Sequence, residues 1–171
     1  PFTKGQNMAK EFELTEEMQA QVDKESPAWT FELTTTSVRA FARGVGYTDP
    51  VYFDVEAAKA AGYRSLPAPP TYLGTPVFIP GRSSDTFSGP SEGQPSINHG
   101  LPNVLDGGTE TEYQETLCAG DTVSVTTKIT SLEVKESKST GKMLITTTET
   151  VYKNQATENV AAVQRSQVIT F

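Results

Sequence analysis

Cysteine and histidine each occur only once in the 171 residues of this chain. The single thiol of Cys118 cannot form an internal disulfide, so we expect a reducing compartment and a cytoplasmic protein. One histidine and one cysteine do not make a ligand set, and no carboxylates cluster at ligand spacing, so no metal site is predicted. No base accompanies Cys118 in the sequence, which makes a nucleophilic role for it a poor hypothesis.

Long apolar runs and basic runs are absent as well. No stretch of about 18 apolar residues occurs, so no membrane span is predicted, and the N-terminus has no signal-peptide core. The formal net charge is −7, without a basic cluster, which argues against nucleic-acid binding. We expect residues 1–7 to be a cloning remnant outside the fold, with Met8 a candidate start and one domain over residues 8–171.

Local patterns in the first third of the chain predict three short helices and one strand. The longest of these helices should bury Val38, Phe41, Ala42 and Val45 on one face. The predicted elements are a helix over Leu14–Val22 with Thr15 as its N-cap, a strand over Trp29–Leu33, a helix over Thr35–Gly46, and a helix over Val55–Ala61 between the N-cap Asp54 and Gly62.

Prolines dominate residues 67–102, which predicts an irregular segment rather than a long helix. Tyr72–Ile79 is its apolar part and a candidate broken helix, and Ser83–Pro95 is a candidate exposed loop. A structureless segment of this length inside a domain is typically functional.

The last third of the chain is rich in Val, Ile, Thr and Tyr and predicts four long antiparallel strands. Gly107 and Gly108 suggest a close backbone approach in a bend at the start of the first of them. The expected fold is α+β, a single domain with a mostly antiparallel sheet wrapped around a helical segment. The four strands are predicted over Thr109–Leu117, Thr122–Val134, Lys142–Tyr152 and Ala161–Phe171.

One stretch resembles an active-site motif. It reads Phe41-Ala-Arg-Gly-Val-Gly-Tyr-Thr-Asp-Pro-Val-Tyr-Phe-Asp54 and is followed by Ala68-Pro-Pro-Thr71. The frame resembles the hydratase motif of the MaoC-like, hotdog-fold enoyl-CoA hydratases and dehydratases. Val104–Tyr113, Ala119-Gly-Asp121 and Thr148–Gln155 resemble the N-terminal dehydratase subfamily, which includes HadA-type accessory subunits. The resemblance implies a hotdog domain that pairs as a dimer in fatty acid metabolism.

The two side chains that move protons in that family are replaced in this chain. The catalytic Asp and His of the motif fall on Tyr47 and Tyr52. Tyrosine has a pKa near 10, so it is a poor base at neutral pH. Ala68–Thr71 is either a rigid turn or a remnant of the motif that supplies the oxyanion donor in the family.

Candidate site residues therefore carry competing interpretations. Asp49, Asp54 and His99 are candidates for a relocated acid–base site, although Asp49 is also suited to opening a turn, Asp54 to capping a helix, and His99 to a structural role. The degenerate positions Tyr47 and Tyr52 are packing or channel residues rather than catalysts. The candidate substrate-binding residues are Tyr47, Tyr52, Thr71, Tyr72, His99 and Gly100.

Three functions are consistent with these residues. The leading hypothesis is the non-catalytic, substrate-channel subunit of a heteromeric (R)-specific enoyl-CoA hydratase or 3-hydroxyacyl-thioester dehydratase. Its expected partner is a catalytic MaoC-like hotdog subunit. The alternatives are a stand-alone homodimeric enzyme with a relocated site and an acyl-thioester-binding module without chemistry. No cofactor is expected beyond the acyl-CoA or acyl-carrier-protein thioester that serves as substrate.

Overall fold

A five-stranded antiparallel sheet forms the body of the protein. The computed structural model describes residues 12–74 and 93–171. Within these described residues, three α-helices and two 3-10 turns accompany the strands. The helices are α1 (Glu16–Gln19), α2 (Thr35–Gly44) and α3 (Val55–Ala60), the turns are Pro50–Tyr52 and Tyr72–Gly74, and the strands are β1 (Trp29–Glu32), β2 (Val104–Tyr113), β3 (Thr122–Ser137), β4 (Gly141–Asn154) and β5 (Val160–Thr170).

Side-chain caps determine where the helices begin. Thr15 accepts a hydrogen bond from the Met18 amide and begins α1, as predicted. Thr34 and Ser37 form a reciprocal capping box at the start of α2. Asp54 accepts from the Ala57 amide and begins α3, which confirms its predicted capping role.

The strand order in the sheet is β1-β3-β4-β5-β2, with every neighbouring pair antiparallel. The chain order and the spatial order differ, so β2 lies at one edge and β1 at the other. This arrangement agrees with the predicted α+β domain with a mostly antiparallel sheet.

The core lies between the helices and one face of this sheet, which we call the inner face. Val38 of α2 and Ala58 of α3 are fully buried and belong to one cluster with Val123, Val125 and Tyr152 of the sheet. Because side chains alternate along a strand, every second residue counted from these belongs to the inner face, until a bulge between Ile129 and Ser131 shifts the alternation in β3. A second, smaller cluster of Phe12, Leu101 and Leu144 lies eight residues further along β4 from Tyr152.

The opposite, outer face carries charged side chains. Lys128 lies within 3.8 Å of both Asp23 and Glu149, and the Arg165 Nε to Glu149 Oε2 distance is 3.1 Å. Arg165 also approaches Glu112 on β2, at 3.9 Å. Exposed charges in such a row stay hydrated and keep this face in water.

Three predicted elements need correction in extent. The first helix ends at Gln19 rather than Val22. The second ends at Gly44, and Val45 is 51% exposed instead of buried. The strand predicted over Thr109–Leu117 runs instead over Val104–Tyr113, because a bulge between Asp106 and Gly108 lets pairing with β5 continue through the glycines.

The close approach expected at the glycine pair is confirmed, inside the strand rather than at its start. A Cβ on Gly107 would lie 2.9 Å from the Gln167 Cβ. Three predictions fall wholly or largely on residues outside those that the structure describes. They are the cloning remnant over residues 1–7, the broken helix over Tyr72–Ile79 and the exposed loop over Ser83–Pro95.

Candidate functional site: an aromatic cleft beside the degenerate motif

The degenerate motif folds into a compact turn after α2. Gly46 adopts a φ of +84°, a conformation that favours glycine, and the Tyr47 amide donates to the Ala42 carbonyl at 2.9 Å. The turn brings the rings of Tyr47 and Tyr52 together, with centroids 5.1 Å apart and planes inclined by 32°. The two positions that carry Asp and His in the resembled motif therefore form an aromatic pair.

The two aspartates of the motif act locally on the backbone. Asp49 Oδ1 accepts from the Val51 amide at 3.1 Å and opens the 3-10 turn. Asp54 Oδ1 accepts from the Ala57 amide at 2.9 Å. Both carboxylates are exposed and belong to residues outside the described lining of the cleft. The structure thus gives each a structural role, and a catalytic role for either stays a prediction without geometric support.

Tyr52 lines a cleft of about 300 Å³. One wall comes from the proline-rich segment after α3 and the other from the end of β2 and the residues that follow it. The walls are joined because Ala68 N donates to Leu117 O and Ala119 N donates to Leu66 O, each at 2.8 Å. The described lining residues are Tyr52, Tyr63, Pro67, Ala68, Pro70, Leu73, Tyr113, Gln114, Glu115, Thr116 and Leu117.

Phenol groups in and behind the cleft are held in their neutral form. Burial, and after it the neighbouring phenols and Asp49, raises the pKa of Tyr52 above 10.0. Burial likewise raises the pKa of Tyr113. Behind the cleft, burial raises the pKa of Tyr152 to about 12, and its hydroxyl donates to Leu73 O at 3.2 Å. Neutral phenols are poor bases, so these side chains can donate hydrogen bonds and pack but cannot deprotonate water at neutral pH.

Glu115 carries the sole carboxylate among the described lining residues, and the sequence analysis missed it. Its Oε1 accepts from Asn154 Nδ2 at 2.8 Å, and its Oε2 accepts from Thr157 Oγ1 at 2.9 Å and Asn159 Nδ2 at 3.3 Å. These three donors anchor Glu115 to the turn between β4 and β5. The available signal was alternation, since Tyr113, Glu115 and Leu117 would share one side of the strand predicted there.

The segment Ala68–Thr71 is poor in free backbone donors. Pro69 and Pro70 have no N–H. The amide of Ala68 donates to Leu117 O at 2.8 Å, and that of Tyr72 donates to Pro69 O at 2.9 Å. Of the two sequence interpretations, this geometry favours the rigid turn over a working oxyanion site.

Thr71 and Tyr72 flank the cleft without lining it among the described residues. Thr71 is exposed. Tyr72 is buried, and its hydroxyl donates to Ser37 Oγ at 2.8 Å while its ring meets Phe41 edge-on at 5.5 Å. The next residue, Leu73, is the one that reaches the cleft.

His99 and Gly100 lie at the other end of the sheet. His99 Nδ1 accepts from the Leu101 amide at 3.0 Å, and Leu101 packs in the cluster of Leu144. Eight residues of extended strand separate Leu144 from Tyr152, about 26 Å. The structure does not bring His99 or Gly100 to the cleft, and their binding roles remain predictions.

An ion pair fixes the chain next to the cleft wall. Arg64 donates to both carboxylate oxygens of the buried Asp121, at 2.9 and 2.8 Å. Burial by itself would raise the pKa of Asp121, but the Arg64 guanidinium and the Cys118 amide together lower it. Cys118 itself is buried. The pair therefore holds the turn before β3 against the segment that carries Pro67 and Ala68.

Comparison with known proteins identifies the family. The sequence profile of the FAS1-like, dehydratase domain region matches residues 20–163. The chain belongs to this dehydratase family. The resemblance to MaoC-like hotdog dehydratases is thereby confirmed. Within the described residues, no helix of this dehydratase-family chain is long and apolar enough to cross a membrane.

Relatives of this dehydratase-family chain include a UPF0336 protein of Streptomyces avermitilis, 33% identical over 107 residues, which are 63% of this chain and 67% of that protein. A probable enoyl-CoA hydratase alpha subunit of Thermomonospora curvata is 27% identical over 140 residues, 78% of this chain and 43% of that protein. The ChsH1-ChsH2 complex of Mycobacterium tuberculosis contains a chain with a TM-score of 0.69 at 16% identity, covering 98% of this chain and 90% of that one. Similarity at this identity confirms the hotdog fold.

Proposed function

We propose that this chain is the non-catalytic, substrate-channel subunit of a heteromeric (R)-specific enoyl-CoA hydratase or 3-hydroxyacyl-thioester dehydratase. One observation carries the proposal: the cleft is formed at the motif, while the motif's two proton-transfer positions are a pair of tyrosine rings 5.1 Å apart. Hydration of an enoyl thioester needs a base for water and an acid for the α-carbon. Burial raises the pKa of Tyr52, so its neutral phenol is a poor base for that water at neutral pH.

The backbone beside the cleft supports the same conclusion. A thioester oxygen that gains charge needs preorganised donors within hydrogen-bonding distance. Two of the residues that align with the family's oxyanion motif are prolines, and the amide of Ala68 is already used by Leu117. A chain lacking both proton-transfer groups can still hold an acyl group, because holding it needs only shape and apolar contact.

A sheet edge with no pairing strand within residues 12–74 and 93–171 supports a partner. β2 is an edge strand of 10 residues on which Val104 is 67% and Leu105 is 55% exposed. A long, exposed edge with apolar side chains is a template for pairing with another chain. Tyr113 lies on this strand and also lines the cleft, so a partner paired along β2 would lie beside the bound acyl group.

The relatives are consistent with a two-subunit enzyme. One relative is described as a probable enoyl-CoA hydratase alpha subunit, and the ChsH1-ChsH2 assembly is a complex of two different chains. By analogy, the partner of this chain would be a MaoC-like hotdog subunit with intact Asp and His, and this chain would be a HadA-type accessory subunit.

A second function, a stand-alone hydratase, is favoured by the carboxylate of Glu115 in the cleft. Three donors position it in the cleft, and a carboxylate is the kind of group that can accept a proton from water. The same bonds occupy both of its oxygens, which is why this function ranks second.

Reconstitution tests the leading proposal. The chain is co-expressed with a MaoC-like hotdog subunit that carries the Asp and His, and the purified complex is assayed with enoyl-CoA substrates. We expect stable co-purification and turnover of long enoyl thioesters only in the complex. Leu105→Asp on β2 should reduce association by tenfold or more, about 1.4 kcal/mol or greater, because it places a charge at the paired edge.

The matched control is Val134→Asp on β3, since Val134 is also partly exposed, at 38%, but lies away from β2. It should leave association unchanged. Robust turnover by the chain without any partner would refute the proposed role.

A further inference from the structure

The cleft opens onto a polar part of the inner face. Tyr113 lines the cleft and pairs with Ala162 of β5. Two residues back along β2, Thr111 pairs with Gln164, and after it Thr109 pairs with Ser166. Since Tyr113, Thr111 and Thr109 alternate onto one face, their side chains continue the cleft wall along the sheet for about 13 Å.

Hydroxyl and amide groups cover this surface in mutually bonded pairs. Gln164 Nε2 donates to Thr111 Oγ1 at 3.1 Å, and Thr109 Oγ1 lies 3.0 Å from Ser166 Oγ. Gln164 Oε1 also accepts from the hydroxyl of Tyr152 at 3.3 Å, which connects the polar pairs to the core side of the cleft. We call Thr109, Thr111, Gln164 and Ser166 the hydroxyl track.

The track retains hydrogen-bonding capacity. Gln164 has two amide hydrogens and a threonine hydroxyl has one donor and two acceptor positions. Among the described residues, the hydrogen bonds of the track use one amide hydrogen of Gln164 and one hydroxyl of the Thr109–Ser166 pair. The Thr111 hydroxyl hydrogen and the other amide hydrogen of Gln164 are therefore left to meet solvent or a ligand. Thr109 is exposed, and Thr111, Gln164 and Ser166 are half-buried.

Such a surface is poorly matched to a saturated alkyl chain. An alkyl chain laid along it would strip water from hydroxyl and amide groups without replacing the lost hydrogen bonds, which is unfavourable. A chain that carries hydroxyl or keto oxygens would replace them.

We propose that the hydroxyl track receives the distal part of an acyl chain that bears oxygen substituents, so that this subunit serves an oxygenated acyl thioester rather than a plain fatty acyl thioester. The inference rests on the proposed function, since it assigns a substrate class to the same cleft. Thr111 and Gln164 are the specificity-determining residues, because they lie nearest to Tyr113 and have donors to spare.

The test compares two thioesters of equal length on the purified full chain. Calorimetry measures the affinity for decanoyl-CoA and for a decanoyl-CoA hydroxylated on the distal half of its chain. We expect the hydroxylated thioester to bind about tenfold more tightly, as two or so hydrogen bonds would give. Thr111→Val should remove most of that preference, because it weakens binding of the hydroxylated thioester and removes a hydroxyl that decanoyl-CoA would desolvate.

A matched control exists on the outer face, where Gln167 Nε2 lies 3.4 Å from Thr147 Oγ1 in the same Thr–Gln pairing. Thr147→Val should leave both affinities unchanged. Equal affinity for the two thioesters, or a preference that Thr111→Val does not alter, would overturn the substrate-binding role of the hydroxyl track. The proposed function of the subunit would remain intact. Failure of both thioesters to bind would refute the proposed function, and this inference with it.

Discussion

The inner face of the sheet has two halves that differ in chemistry although the same strands build both. Near the start of β3, Val123, Val125 and Tyr152 are buried under α2 and α3. Further along the same strands, the inner positions include Thr127, Thr150, Thr148 and the hydroxyl track, beside the buried Ile129. Thr127 and Thr150 join by a hydroxyl contact of 3.0 Å, in place of apolar packing.

The length of α2 accounts for where the inner face changes from apolar to polar residues. A helix of 10 residues is about 15 Å long, whereas β4 has 14 residues and spans about 46 Å. The helix therefore covers part of the face, and apolar residues occupy the positions beneath it. Beyond it, the threonines and the hydroxyl track carry groups that tolerate water, as expected of a binding surface. Ile129 and Leu144 are the buried apolar exceptions among these inner positions.

The largest effect on stability is expected from breaking the Arg64–Asp121 ion pair, which anchors the apolar half of the inner face. Arg64→Met would leave the buried carboxylate of Asp121, at the start of β3, without its cation. We expect a loss of about 2–3 kcal/mol in the free energy of unfolding at neutral pH, less than for a fully buried pair because Arg64 is 58% exposed. Chemical denaturation measures this, and amide exchange should increase more at Val125 than at Thr148.

The pH dependence of the same pair has a definite sign. The pKa of Asp121 is lowered in the folded state, so its contribution is present above the unfolded value of about 3.9 and is lost as pH falls below it. The deficit of Arg64→Met should therefore shrink in acid. Lys59→Met is the control, since Lys59 pairs with Glu56 at an exposed site and should cost at most about 0.5 kcal/mol. A similar cost for both variants would contradict the assigned anchor.

A reciprocal exchange compares the two halves directly. Val125→Thr places a hydroxyl in a fully packed site and should cost about 2 kcal/mol. Thr127→Val, the neighbouring inner position, should cost about 0.5 kcal/mol or less, because its hydroxyl is half-buried and Thr150 keeps access to water. Equal costs, measured by urea denaturation, would mean that the halves do not differ in packing.

Local patterns explain why much of the fold was predictable. Caps at Thr15 and Asp54 and the runs of β-branched residues depend on short-range chemistry that a sequence displays. The start of β2 was not predictable, because Asp106 and the two glycines disfavour a strand and only pairing with β5 through a bulge extends it. The predicted end of α2 lies two residues too late, because Val45 faces solvent although its spacing matches the buried face of the helix.

The site was predictable only in part. Tyr52 in the cleft follows from the motif, and Asp49 and Asp54 serve as the caps that their positions suggest. Tyr63 and Glu115 reach the cleft because Ala68 pairs with Leu117, a contact between segments far apart in the chain. No local pattern encodes that pairing, and likewise none indicated that His99 would lie by the Leu144 cluster.

We expect the cleft to bind an acyl thioester without transforming it. The most direct test mixes the purified chain alone with an enoyl-CoA and follows, in one sample, both binding and loss of the enoyl-thioester absorbance. We expect saturable binding that Tyr52→Ala weakens, with no hydration above the buffer rate. Hydration by the chain alone that Glu115→Gln abolishes would contradict the claim and establish the stand-alone hydratase instead.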